Sequence, residues 1–128
     1  MDKEQLNILS KEILDAAIEV HRIMGPGLLE SVYEICLCRE LNLRGYKAVN
    51  QVSVPLFYKG ERLDKDFRVD ILVEDEIVLE IKSSEKMAPV YEAQIISYLK
   101  LMKKKLGFLI NFNQPLLKDG FKRFVNNF

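Results

Sequence analysis

Residues 66–82 read DFRVDILVEDEIVLEIK, and this stretch decides how the rest of the chain is arranged. Two runs rich in β-branched residues flank the polar Glu74-Asp75-Glu76, which is the pattern of a β-hairpin. On the second run Glu80 and Lys82 project from one side, roughly 6.6 Å apart along the strand, while Ile77, Leu79 and Ile81 point the other way. On the first run strict alternation puts Phe67, Val69, Ile71 and Val73 on one face and Arg68, Asp70 and Leu72 on the other. Folding about the 74–76 turn brings Asp70 level with Glu80. Two carboxylates and a lysine then gather on a mostly apolar sheet, where charge is costly unless it is paired or binds a metal.

The 128 residues suffice for one α/β domain, 1–128, with a real core. Nineteen basic and nineteen acidic residues cancel, so no overall field draws the chain to nucleic acid or an anionic membrane, and any polyanion site is local. Met1 to Leu14 alternates charged and apolar residues, so a secretory signal is not expected. No apolar run approaches the roughly 20 residues of a membrane span. Cys36 and Cys38 are too few for a metal or disulfide framework and read as reduced residues of a cytoplasmic protein.

Upstream of the hairpin, Leu6, Leu9, Ile13, Ala16, Ala17, Val20 and Met24 recur at helical spacing and predict an amphipathic helix over residues 2–24. His21, the single histidine, sits near its end as a solvated or dipole-complementing residue. After Gly25-Pro26-Gly27 a second helix is expected from about Leu28 to Leu43, capped by Gly45. Glu30 falls in its first turn, where the dipole favours a carboxylate, and Glu34 and Glu40 read as ordinary solvated positions. Residues 48–58 switch to a period of two, and Pro55 marks an edge or a bulge. Downstream, Pro89 opens a helix expected to reach Lys104, with Gly107 just beyond it. Tyr91, Gln94, Tyr98 and Leu101 share a stripe of that helix. Leu106 to Phe112 is a nearly continuous apolar run, as for a strand buried on both faces. Phe121–Val125 adds a short last strand. A right-handed crossover between the third and fourth strands makes the sheet mixed.

Asp70, Glu80 and Lys82 have a mechanical meaning together. Mg²⁺ takes hard oxygen ligands and keeps several waters, so two carboxylates, the Ile81 carbonyl and a substrate phosphate complete its shell. Lys82 can position an attacking water or hold a phosphate oxygen as a point charge. A plain cross-strand salt-bridge cluster, worth about 0.2–1 kcal/mol per pair, also fits these residues.

The wider pattern bears on that choice. Gly27-Leu28-Leu29-Glu30-Ser31-Val32-Tyr33, then Asp70, Glu80-Ile81-Lys82 and Gln94-Ile95-Ile96-Ser97-Tyr98 follow one another in order. In these motifs the chain resembles the PD-(D/E)XK nuclease superfamily and, within it, the small bacterial GxxExxY group. The resemblance implies a restriction-endonuclease-like αβββαβ core with a mixed four- to five-stranded sheet flanked by helices. It implies hydrolysis of phosphodiester bonds, in DNA ahead of RNA, with Mg²⁺ as cofactor and Mn²⁺ able to substitute. Asp70 and Glu80 become metal ligands, Lys82 the catalytic lysine, Glu30 an acidic residue reaching the metal or its water, and Gln94 and Tyr98 substrate contacts. Tyr33 packs its ring on the sheet and keeps its hydroxyl as a polar handle. Tyr91 departs from the pattern, because relatives often carry His there. So small a nuclease calls for a homodimer or a partner protein to wrap a duplex, with Lys100 to Lys105, Lys118, Lys122 and Arg123 as a local basic rim. The alternative is a non-catalytic nucleic-acid-binding or protein-interaction module that retains the fold.

Overall fold

Asp2 starts the first helix. Its carboxylate accepts from the Gln5 backbone N–H at 2.8 Å while the Gln5 side chain accepts from the Asp2 N–H at 3.0 Å, a reciprocal capping box. The computed structural model describes residues 1–128. From this cap the chain runs through α1 (Lys3–Met24), α2 (Glu30–Leu43), β1 (Ala48–Tyr58), β2 (Glu61–Val73), β3 (Ile77–Lys82), α3 (Pro89–Met102), β4 (Leu106–Asn111), a 3₁₀ turn (Leu117–Gly120) and β5 (Phe121–Val125). α2 begins two residues later than its periodicity predicts, because Leu29 is still extended. It ends as expected: Gly45 is left-handed at φ 91, and the Tyr46 N–H reaches back to the Leu41 carbonyl in a Schellman arrangement.

The five strands lie in chain order, β1-β2-β3-β4-β5. Only β3 and β4 are parallel, and α3 makes the connection between them. The sheet is therefore mixed and five-stranded, with helices on both faces. α1 and α2 pack Leu6, Ile13, Tyr33 and Leu37 against Ile71, Leu79, Ile81 and Ile110 in the main core. On the opposite face Leu99 of α3 meets Val69 and Val78 in a smaller one. β4 is buried along its whole length, as its apolar run requires. Gly107 lies inside β4 rather than beyond α3. A Cβ there would come within 3.1 Å of the Ile95 Cδ1 atom and 3.2 Å of the Leu99 Cδ2 atom, so the bare glycine lets α3 settle onto the sheet. The helix itself stops at Met102, because Lys103 turns left-handed at φ 57 without needing a glycine.

The hairpin forms with its turn at Glu74 and Asp75, both left-handed at φ 53 and 54. β2 is longer than its sequence pattern suggests. It pairs with β3 only over Ile71–Val73, and the rest continues with β1 as a two-stranded ribbon with a register shift between Pro55 and Phe57. Pro55 thus sits on an edge strand and beside an irregularity.

One expectation fails here. Phe67, Val69, Ile71 and Val73 do not share a face: Ile71 and Val73 enter the main core, whereas Val69 and Phe67 pack on the α3 side. The ribbon changes face at Asp70. Across from Asp70 stands Gln51, held left-handed at φ 52 between the paired positions 50 and 52. A non-glycine residue in that conformation costs of order 1–3 kcal/mol and breaks the pleat locally.

Candidate active site

The change of face sets Asp70 at the fork where β2 leaves β3. The β2–β3 ladder ends at Ile71 and Leu79, and the next position is closed by side chains instead. The Asp70 backbone N–H donates to Glu80 Oε2 at 2.8 Å, and the Ile81 N–H donates to Asp70 Oδ2 at 2.7 Å. The reciprocal bonds fix both carboxylates side by side and leave one oxygen of each without a backbone donor. This is the pairing of Asp70 with Glu80 that the hairpin predicts.

Glu80 is 5 % exposed. Burial, then the neighbouring Asp70 charge, pushes its carboxyl up to about 8, while the Asp70 hydrogen bond and the Lys82 charge pull the other way. Lys82, half-buried, makes no ion pair. Its ammonium lies over the Tyr91 ring, 4.3 Å from the centroid. Asn111 is buried and fixes the loop behind it: its Oδ1 accepts from the Ser84 and Asn113 N–H groups at 3.1 Å, and its Nδ2 donates to the Ser84 carbonyl at 2.9 Å. Ser83 donates its hydroxyl to the Leu28 carbonyl at 2.6 Å, tying that loop to the glycine-rich connection before α2. Tyr33 staples the same connection. Its hydroxyl donates to the Gly25 carbonyl and accepts from the Leu28 N–H, and its ring stacks on Phe112 at 4.5 Å.

Glu30 is exposed at the first residue of α2, without an ion-pair partner. The acidic residue that meets Asp70 is Glu34, one turn later. It is buried to 9 % exposure, and its carboxylate accepts from the Asn50 side chain at 3.3 Å and the Gln51 side chain at 2.8 Å. Burial and the Asp70 charge raise its pKa. The expectation of a solvated Glu34 is therefore wrong. The sequence does hold a signal: Glu34 falls on the same helical stripe as the buried Leu37 and Leu41, and a carboxylate on a core-facing stripe demands an explanation. Glu40 is also engaged, in an ion pair with Arg44 at 2.7 Å.

From α3, Tyr98 faces the pair. Burial, with the Glu80 and Asp70 charges, raises its pKa, and the adjacent Gln94 side chain opposes the rise. Phe67, which alternation had assigned to the other face, stacks on the Tyr98 ring at 4.7 Å and walls the site. Gln94 itself is exposed.

The acidic residues form an open pair flanked by Glu34, with no group of three or more His, Cys, Asp or Glu at metal-holding spacing. That donor set suits a hard divalent cation that keeps most of its waters. A cation bound there would offset both causes that raise Glu80, the burial of its charge and then its repulsion with Asp70. The family model of the PD-(D/E)XK nuclease superfamily matches residues 7–124. This chain belongs to the PD-(D/E)XK nuclease superfamily. No curated protein and no solved structure matches it. PD-(D/E)XK nucleases generally use divalent metal ions and act on nucleic acid.

Much of the expected basic rim of this PD-(D/E)XK chain is engaged. Lys104 pairs with Asp75 at 3.3 Å and Lys122 with Glu92 at 2.9 Å, while Arg123 hydrogen-bonds Asn7 at 3.2 Å. Lys100, Lys103 and Lys105 remain together beside Asn126 and Asn127. His21 is bound to the Gln114 carbonyl at 2.8 Å, and Cys36 and Cys38 are free thiols. No helix is long and apolar enough to cross a membrane.

Proposed function

We propose that this chain is a divalent-metal-dependent nuclease of the GxxExxY group that hydrolyses phosphodiester bonds, with DNA ahead of RNA as substrate. The observation that carries the reading is the reciprocal pairing of Asp70 and Glu80 with Lys82 two residues further on. Asp70 and Glu80 would hold Mg²⁺, or Mn²⁺ in its place, with the Ile81 carbonyl as a further oxygen donor. The bound cation supplies an acidified water and offsets charge developing on the phosphoryl oxygens.

The remaining work falls to the chain's own residues. Lys82 keeps its three N–H donors free of carboxylates, so they can orient the attacking water and hold a phosphate oxygen. The water oxygen bonds to phosphorus as the bond to the leaving sugar oxygen breaks; the water's proton is released to solvent, and the leaving oxygen takes up a proton from solvent. Gln94 and Tyr98 contact the substrate backbone. Glu30, exposed one turn before Glu34, would reach the metal or its water. A duplex substrate calls for a second copy or a partner chain.

A second reading, a module that binds nucleic acid or protein without cutting, is favoured by the net charge of zero and by the internal pairing of Lys104 and Lys122. One experiment separates the two. Purified protein with Mg²⁺ or Mn²⁺ is expected to cut single- or double-stranded DNA. Asp70→Asn and Lys82→Ala are expected to lose at least about a hundredfold in rate, the scale of a lost electrostatic or acid–base group, while circular dichroism stays unchanged. Full activity in either folded variant sinks the nuclease reading, and binding without cutting by the wild type supports the second.

A further inference from the structure

The geometry points to Tyr91 as a positioning residue: its ring face holds the Lys82 ammonium beside the carboxylate pair and keeps it from collapsing onto that pair. This inference rests on the nuclease reading for its consequence in turnover, but not for the contact itself. Four lysines approach aromatic rings in this protein, and Lys82 does so most closely, at 4.3 Å against 5.6–5.9 Å for the others. It is also the one among them that comes from the central strand of the sheet, half-buried and close enough for its charge to act on Glu80. A flexible four-carbon amine so close to Asp70 and Glu80 would ordinarily form a salt bridge, spending its donors on their oxygens. Instead no carboxylate lies within 4.0 Å of it.

The ring explains the difference. An aromatic face attracts a cation through its quadrupole and accepts no strong hydrogen bond in return. The lysine is thus located without being neutralised, and its N–H groups stay available. Tyr91 is well placed to do this because it belongs to the first turn of α3, where Pro89 fixes the backbone and the Tyr91 N–H donates to the Ala88 carbonyl at 3.0 Å. Nearby helix N–H dipoles disfavour a cation at that end, so the ring supplies an attraction that the helix does not. Tyr91, Gln94 and Tyr98 occupy one stripe at steps of three and four residues. The platform for the lysine and the residues facing the carboxylate pair therefore move as one rigid element.

The contact can be read directly by NMR. A methylene held over a ring face is shielded, so the Lys82 ε-CH₂ protons, assigned by their loss in Lys82→Gln, are expected to be the most upfield-shifted of any lysine. Tyr91→Leu should return them to the ordinary lysine position, and Tyr91→Phe should restore the shift. In the cleavage assay Tyr91→Leu should lower kcat about tenfold or more with KM little changed, and Tyr91→Phe should recover most of the loss. Tyr91→Gln replaces the Leu variant if that variant does not fold. An unshifted Lys82 in the wild type, or a shift that survives in Tyr91→Leu, overturns the inference. So does a kcat in folded Tyr91→Leu equal to that of the wild type. A wild type that shows the shift but cuts no substrate leaves the platform standing and removes the nuclease reading instead.

Discussion

Replacing Glu80 with Gln should make the protein more stable at neutral pH and flatten its dependence on pH. Folded Glu80 keeps its proton up to about pH 8, whereas an unfolded Glu loses it near 4.5. Between those values the folded state binds more protons than the unfolded state, so stability falls as pH rises. The fall is complete above the folded value and absent below the unfolded one. Each pH unit inside the window costs about 1.4 kcal/mol. At pH 7 the buried carboxyl therefore withholds of order 3 kcal/mol of stability. Gln at position 80 retains an oxygen to accept the Asp70 N–H, now at 2.8 Å from Oε2, and carries no charge to be buried. Urea unfolding in the presence of a chelator, at half-unit steps from pH 5 to 8.5, measures the effect. The wild type is expected to lose stability across that range, with Glu34, also raised, adding in the same direction. Glu80→Gln should show a shallower slope by about one proton and a higher urea midpoint at pH 7.5. Equal slopes in the two proteins, or a Gln variant weaker at every pH, would refute the reasoning that burial beside Asp70 is what shifts this group.

Two further substitutions probe how the frame holds the site. Tyr33→Phe removes the hydroxyl that joins the Gly25 carbonyl to the Leu28 N–H, and should cost about 1–3 kcal/mol while speeding hydrogen exchange at the Leu28 amide. Gly107→Ala places a methyl 3.1 Å from Ile95 and from the Val78 carbonyl, and should lower the urea midpoint by the equivalent of about 1–3 kcal/mol as α3 is lifted off β4.

Elements whose signal is local were legible from the chain. The stripe from Leu6 to Val20, the glycine cap at Gly45, the β-branched runs on either side of Glu74 and the apolar run from Leu106 each match an element of the structure. Asp70 and Glu80 could be paired because a hairpin's register follows from its turn. The face of Val69 could not be read, since it depends on a left-handed backbone at Gln51, on the neighbouring strand. Strict alternation presumes an unbroken pleat, and the pleat breaks at Asp70. The end of α3 was missed for a similar reason, because Lys103 adopts a conformation usually left to glycine or asparagine. Partners distant in sequence were beyond any periodicity: Lys104 with Asp75, Lys122 with Glu92, and Glu34 with Gln51 meet only through the fold. The Lys82–Tyr91 contact belongs with these, although Lys82 lies in the strand motif and Tyr91 on the helix stripe with Gln94 and Tyr98.

The central claim is that Asp70 and Glu80, joined through each other's backbone at the fork of β2 and β3, are the working centre of a nuclease. Cleavage of a DNA substrate by wild type and Asp70→Asn, measured side by side across a Mg²⁺ titration with both proteins folded, tests it most directly. Metal-dependent cutting is expected from the wild type, and at least about a hundredfold less from Asp70→Asn at every Mg²⁺ concentration. Equal cutting by the two proteins would contradict it.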